Sequence, residues 1–176
     1  MSITVIDDVF TKEEIEKTHR ECLSVPCVWS ARSNPKWKFW TGTIFNKIDS
    51  SKNIYHTLPS VNNTWEKIKN ALEISDEYTF NSVYINCSGI GNDCPLHNDF
   101  GDFTILYYTN PNWKIEWDGG TSFYNKERDD CIASVSYKAG RIVSYEASTP
   151  HKPDSISREA DDIRIVLVIK LIKNSP

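Results

Sequence analysis

From about residue 78 onward the chain is a succession of short β-rich runs separated by turn residues, and this rhythm constrains the fold more than any other feature. The runs are Tyr78 to Cys87, Phe103 to Thr109, Thr121 to Tyr124, Ile132 to Tyr137, Arg141 to Glu146 and Ile163 to Leu171. Between them lie Gly89 to Pro95, Asn110 to Asn112, Asp118 to Gly120, Lys138 to Gly140 and Ser148 to Pro153, all rich in Gly, Asn, Asp or Pro. Such residues end strands: Gly permits positive φ, Pro withholds a backbone donor, and Asn and Asp bond their own backbone. Many short strands joined this way predict an all-β sandwich or barrel. No βαβ rhythm, GxGxxG or Walker spelling occurs, which disfavours a nucleotide-binding α/β fold.

The first third reads differently. Thr11-Lys12-Glu13-Glu14 has the form of a capping box, in which a Thr hydroxyl and a Glu carboxylate satisfy free N–H groups reciprocally. Ile15, His19, Cys22 and Leu23 follow at helical spacing, and Pro26 ends the segment. A second helix is predicted from about Asn63 to Ile74, because Val61, Trp65, Ile68 and Leu72 recur on one helical face. Residues 1–77 are thus expected to be mostly helical support and residues 78–176 a jelly-roll core, together one domain, with the helices on one face of the roll.

Composition narrows the function classes. Net charge is −4, so a generic nucleic-acid surface is not favoured. No apolar stretch is long enough to span a bilayer. Met1 to Phe10 carries Asp7 and Asp8 and lacks a basic start and an apolar core, so it does not read as a secretory signal, and a cytoplasmic location is expected. The five cysteines, Cys22, Cys27, Cys87, Cys94 and Cys131, are odd in number and include no CxxC pair, which points to reduced thiols.

Two of the four histidines fall where the β pattern would place a site. His97-Asn98-Asp99 is an HxD triplet, and in an extended segment residues i and i+2 project from the same face. His151, just after the run ending at Glu146, offers a second imidazole. Two nitrogens and one oxygen on one side of a metal leave positions open, the preference of non-haem Fe(II) oxygenases. Arg164 opens the apolar run Ile165-Val166-Leu167-Val168-Ile169. A charge there needs an anionic partner, and a guanidinium fork fits a carboxylate bidentately. Lys170 shares its face by alternation, and either reaches an anion or snorkels out at the strand end.

These residues, taken in order, resemble the prolyl-4-hydroxylase-like 2-oxoglutarate/Fe(II)-dependent dioxygenases, in particular their small bacterial and phage members. The pieces that match are His97-Asn98-Asp99, the strand Ile105 to Asn110 followed by Trp113, Trp117 to Tyr124 with Gly119-Gly120, Gly140-Arg141-Ile142-Val143, and Pro150-His151 followed by Arg164. They cover about Ser82 to Ile172, roughly half the chain. The resemblance implies a double-stranded β-helix (a cupin-like jelly roll) with His97, Asp99 and His151 holding Fe(II) and Arg164 anchoring 2-oxoglutarate. It further implies O₂ as co-oxidant, ascorbate as a stimulant, and hydroxylation of a prolyl, peptidyl or small-molecule C–H bond with release of succinate and CO₂. Retention of Asp99 favours hydroxylation over halogenation. Where family members often carry a cosubstrate-binding Tyr, this chain has Cys87, with Tyr84 and Asn86 nearby; Tyr84 and Lys170 are carried as cosubstrate contacts. The gap before Arg164 is longer than in the family and includes Arg158, a rival anchor in a charged loop.

Competing readings stand beside this one. His97 and Asp99 would serve equally as a turn pair, and Arg164 as a strand-end salt bridge to Asp161 or Asp162. A cupin dioxygenase that uses no 2-oxoglutarate, a non-catalytic β-sandwich binding module, and an AlkB-like nucleic-acid demethylase with Arg164 and Lys170 as its basic pair are the functional alternatives. Trp113, Trp117, Tyr107 and Tyr108 are expected to pack rather than to bind, Cys94 to be an ordinary small residue beside the site, and His19 to be structural. Specificity is expected in the loops Ser30 to Trp37, Asn110 to Asp118 and Ser148 to Asp162, with the Trp29 to Trp40 segment as a lid or rim.

Overall fold

The computed structural model describes residues 2–31, 38–91 and 94–174. Helix α1 (Lys12–Ser24) begins with the capping box that its sequence spells: Glu14 N–H donates to the Thr11 hydroxyl at 3.3 Å and Thr11 N–H to the Glu14 carboxylate at 2.9 Å. Its buried face is Ile15, Thr18 and Cys22. Leu23, expected on that face, is instead 60% exposed. Helix α2 (Pro59–Ala71) starts at Pro59 rather than near Asn63. Pro is preorganised for the first helical position, and the Glu21 carboxylate from α1 accepts from Ser60 and Val61 N–H, both at 2.9 Å, replacing a side-chain cap.

The strands are β1 (Ile3–Ile6), β2 (Val28–Ala31), β3 (Lys38–Asn46), β4 (Tyr78–Ser88), β5 (Phe103–Tyr108), β6 (Thr121–Tyr124), β7 (Cys131–Val135), β8 (Ile142–Glu146), β9 (His151–Pro153) and β10 (Arg164–Lys173). They form a seven-stranded sheet in the order β1-β8-β5-β10-β4-β3-β2 and a three-stranded sheet in the order β7-β6-β9. The named pairings are antiparallel. The first third is therefore not mostly helical: β1, β2 and β3 are three of the seven strands of the large sheet. In β3, Gly42 is required by close approach, because a Cβ there would lie 2.6 Å from Val25 Cγ1 in the segment leaving α1.

Alternation along the central strands divides their side chains between two cores. Ile85, Ile105, Tyr107, Leu167 and Ile169 pack against Cys22, Val61 and Ile68 of the helices. Tyr84, Leu106, Tyr108, Val166 and Val168 pack between the sheets against Phe123 and Val135. Covered on both faces, β10 is buried from Arg164 to Leu171, as a central strand's continuous apolar run requires. This is the double-stranded β-helix expected, with helices on one face. No helix among the described residues is long and apolar enough to cross a membrane.

Candidate metal centre

The HxD segment is pinned by its backbone to the small sheet at β9 and to the residue that follows β8 of the large sheet. His97 N–H donates to His151 O at 3.0 Å and His151 N–H to His97 O at 2.9 Å, while Asp99 N–H donates to Ala147 O at 2.8 Å. Residue 97 thus pairs with the start of β9, which bonds β6 through Phe123. The consequence is convergence: one ligand atom from each of His97, Asp99 and His151 lies within 4.8 Å of the others. His97 Nε2 is 3.8 Å from Asp99 Oδ1, and His151 Nε2 is 3.5 Å from Asp99 Oδ2.

Local hydrogen bonds fix which nitrogen of each ring faces inward. His97 Nδ1 lies 2.9 Å from Pro95 O, and His151 Nδ1 lies 2.9 Å from Thr149 O. A carbonyl only accepts, so each Nδ1 carries the proton and each Nε2 presents its lone pair. Such outer partners are what orient imidazoles that bind metals. Burial, assisted by His97, lowers the His151 pKa to about 4, against the pull of Asp99, so the ring is neutral at neutral pH. Burial alone would raise the Asp99 carboxyl. The charges of His151 and Lys170 and the hydrogen bond from Lys170 outweigh it and bring the group to about 2, where His151 is itself already charged. Two imidazoles with Nε2 turned inward and an ionised carboxylate, converging on one point, suit a divalent cation with an open coordination face.

Three donors surround Asp99. Lys170 Nζ reaches Oδ1 at 2.7 Å, Thr104 Oγ1 reaches Oδ2 at 2.8 Å, and the Tyr145 hydroxyl lies 3.4 Å from Oδ2 and 3.0 Å from His151 Nε2. Burial, then Asp99, hold the Tyr145 phenol well above its ordinary pKa, so it remains a donor. Lys170 is 5% exposed, which overturns the snorkelling reading. Its ammonium also sits 5.5 Å from the centre of the Tyr84 ring. Thr104 and Tyr145 were not singled out by sequence reasoning, because nothing in their local pattern marks them.

The cavity beside the triad is walled by Tyr84, Asn86, Leu106, Thr121, Tyr145, Val166 and Val168, with Phe39, Pro95 and Pro153. Arg164 is in its wall and 3% exposed. Its Nε donates to Gly119 O at 2.5 Å and Nη2 to Gly120 O at 3.3 Å, and its guanidinium lies 5.7 Å from the ring centres of both Tyr108 and Tyr137. Gly119 has φ +73, and a Cβ there would lie 3.1 Å from Arg164 Cδ. The salt-bridge reading of Arg164 is not what forms: Asp162 accepts from Asn110 Nδ2 at 3.0 Å, and no ion pair of Arg164 occurs among the described residues. Arg158 is exposed and absent from the cavity wall.

Other expected residues fall as follows. Cys87 is on the helical side of β4, its Sγ 3.4 Å from Cys27 Sγ, so the family's tyrosine position does not face the cavity; Tyr84 and Asn86 do. The Asn86 Oδ1 is buried without a hydrogen-bond partner. Cys94 lines the cavity, 3.7 Å from the His97 nitrogen that already serves Pro95. Tyr107, Tyr108 and Trp117 are buried, and Trp113 packs on Trp117 and Tyr137, as expected. His19 Nδ1 lies 3.0 Å from Thr109 Oγ1, a structural contact, and His56 is exposed in a 3₁₀ turn. Trp29 and Trp40 pair at 5.6 Å, and Trp40 is in register with Cys87, on the helical side; among the described residues of this segment, Phe39 reaches the cavity. Most of the Ser30 to Trp37 loop, residues 32–37, lies outside the described residues.

No protein-family model matches the chain, and no curated protein matches its sequence. Its structure does resemble solved ones. A prolyl-4-hydroxylase from Pseudomonas putida superposes with a TM-score of 0.65 at 13% identity, covering 98% of this chain and 92% of the other. A prolyl hydroxylase from Trichoplax adhaerens, solved with a peptide fragment of the hypoxia inducible factor oxygen degradation domain, gives 0.62 at 15%, covering 97% and 83%. HygX from Streptomyces hygroscopicus, solved with nickel and 2-oxoglutarate bound, gives 0.66 at 10%, covering 98% and 83%. Identities this low establish a shared fold.

Proposed function

We propose that this chain is an Fe(II)- and 2-oxoglutarate-dependent dioxygenase that hydroxylates a C–H bond of a prolyl, peptidyl or small-molecule substrate. The observation that carries the reading is the meeting of His97, Asp99 and His151 at one end of a cavity whose wall contains the buried Arg164. When bound, Fe(II) with 2-oxoglutarate and O₂ supplies oxidation of an unactivated C–H bond, coupled to release of succinate and CO₂.

The chain's own groups do the holding. His97 and His151 present Nε2 lone pairs fixed by their Nδ1 bonds, and Asp99 supplies the anionic ligand. Arg164 takes the distal carboxylate of 2-oxoglutarate with the guanidinium N–H groups that Gly119 and Gly120 leave free. The Thr121 hydroxyl, on the cavity wall and 2.9 Å from the Tyr108 hydroxyl, stands ready to donate to the same anion. Lys170 is engaged with Asp99, so the distal carboxylate falls to Arg164 rather than to the lysine. Tyr84 and the Asn86 amide complete the polar wall, and Leu106, Val166 and Val168 keep it dry. A dicarboxylate fits this charge pattern, with a metal at one end and a guanidinium at the other. The peptide held by the Trichoplax neighbour supports a peptide or small-molecule substrate class.

The test is succinate formation followed by NMR in aerobic protein with Fe(II) and 2-oxoglutarate. Slow uncoupled turnover that requires both and disappears in His97→Ala is expected. Turnover that persists without iron or without 2-oxoglutarate refutes the reading.

A further inference from the structure

Strand register places Lys170 of β10 opposite Thr104 of β5, and Thr104 opposite Tyr145 of β8. Three side chains from three adjacent strands therefore form one transverse row. Two of them direct donors at the same carboxylate, Nζ to Asp99 Oδ1 at 2.7 Å and Oγ1 to Oδ2 at 2.8 Å, and the phenol shares its one proton between Oδ2 at 3.4 Å and His151 Nε2 at 3.0 Å. An ionised carboxylate offers about four acceptor sites, so two firm donors and a shared third leave room for one or two further bonds.

We propose that this row is a cradle that holds Asp99 in a one-oxygen binding mode toward the metal, and that Lys170 is its dominant positioning residue. The inference rests on the metal reading given above. Lys170 dominates because its bond is charge-assisted, roughly twice the strength of a neutral one, and because both partners are buried, with side chains 6% and 4% exposed. Removing one partner of such a pair leaves the other without compensation. The ammonium also repels a dication, so two effects oppose: loss of Lys170 relieves repulsion and frees the carboxylate to swing and chelate with both oxygens. The cradle requires that lost orientation win, and the sign of the affinity change reports which does.

The experiment titrates metal-free, full-length protein with Co(II), following heat and visible absorption, for the wild type, Lys170→Met and Lys170→Arg. Lys170→Met is expected to weaken binding about 10- to 100-fold, the range for losing an outer partner of a metal ligand, and to alter the ligand-field bands as the second oxygen enters. Lys170→Arg restores both affinity and spectrum, which a merely structural role would not require. Lys170→Met that binds Co(II) as tightly as the wild type, or more tightly, overturns the cradle whatever its spectrum. If Lys170→Met does not fold, the near-isosteric Thr104→Val decides: weaker binding supports the cradle, unchanged binding overturns it. A wild type that binds no Co(II) overturns the metal reading itself, whereas wild-type binding with indifferent variants overturns only the cradle.

Discussion

His97 and His151 grip each other through the backbone: two reciprocal N–H···O bonds of 3.0 and 2.9 Å join residues that lie far apart in the chain. Both imidazoles hang from this one bridge, so their separation is set by main-chain geometry rather than by side-chain packing. Either ring is therefore removable without breaking the bridge. His97→Ala and His151→Ala are expected to fold, and to lose the rise in Tm that Ni(II) gives the wild type. A ligand at a hundred times its Kd stabilises by about 2.7 kcal/mol, several degrees for a chain of this size. Thermal scans with and without Ni(II) check this; an equal rise in the alanine variants would count against the triad.

Arg164 lines the cavity but makes no hydrogen bond to His97, Asp99 or His151, so under the proposed reading its loss separates cosubstrate binding from metal binding. Arg164→Met is expected to raise the Kd for 2-oxoglutarate at least about tenfold, the value of one charged hydrogen bond, and to leave Ni(II) affinity unchanged. Arg164→Lys keeps the charge but not the fork and falls between. Calorimetry of the nickel-loaded variants with 2-oxoglutarate measures the effect. A parallel loss of metal affinity would mean that Arg164 supports the triad instead.

Much of the site was legible because its residues are local or adjacent to strong punctuation. The HxD spacing, Pro150-His151 and the arginine opening an apolar run are visible in one dimension, and six strands were read within a few residues of their bounds. Strands β1 to β3 were not, since their runs lie next to two helices with clear amphipathic faces and are ordered by pairing with distant β4 and β8, nor was β9, three residues ending in Pro inside the turn-rich Ser148 to Pro153 stretch. Thr104 and Tyr145 were hidden for the same reason. Their meeting at Asp99 depends on register between strands that are not consecutive, and register is decided by which faces are buried. Lys170 was visible as a residue on Arg164's face, but its partner was not, because burial and the path of the HxD segment come only with the fold.

Gly120 is a packing constraint beneath the arginine. A Cβ there would lie 2.4 Å from Val135 O and 3.1 Å from Asp154 Oδ2, so backbone must shift. Gly120→Ala is expected to cost about 2 kcal/mol or more, in the range for overpacking, and to displace the carbonyl to which Arg164 Nη2 donates. Urea denaturation reads the first effect and 2-oxoglutarate affinity the second. A variant with unchanged stability would show that the β6–β7 contact relaxes freely.

Asp7, just after β1, is held by the Arg141 fork, with both N–H···O distances 2.8 Å. The Arg141 hydrogen bonds, against some burial and with help from Lys138, lower its carboxyl from 3.8 to about 2. A carboxyl lowered on folding stabilises above its unfolded value and loses that contribution as pH falls through the folded one. Asp7→Asn is therefore expected to cost about 1 kcal/mol at neutral pH, discounted for its partial exposure. The gap to the wild type should close as pH falls from 3.8 toward about 2. Denaturation at neutral and acid pH checks it; a constant gap would place the stabilisation elsewhere than in the ion pair.

The most direct measurement is the visible charge-transfer absorption that appears when 2-oxoglutarate chelates Fe(II), recorded without oxygen. The wild type is expected to develop this band with both components present, saturating at one iron per chain, and to lose it in Asp99→Ala and His151→Ala. A band undiminished in His151→Ala, or no iron bound by the wild type, would contradict a shared metal centre at His97, Asp99 and His151, and iron binding without the band would contradict 2-oxoglutarate chelation there.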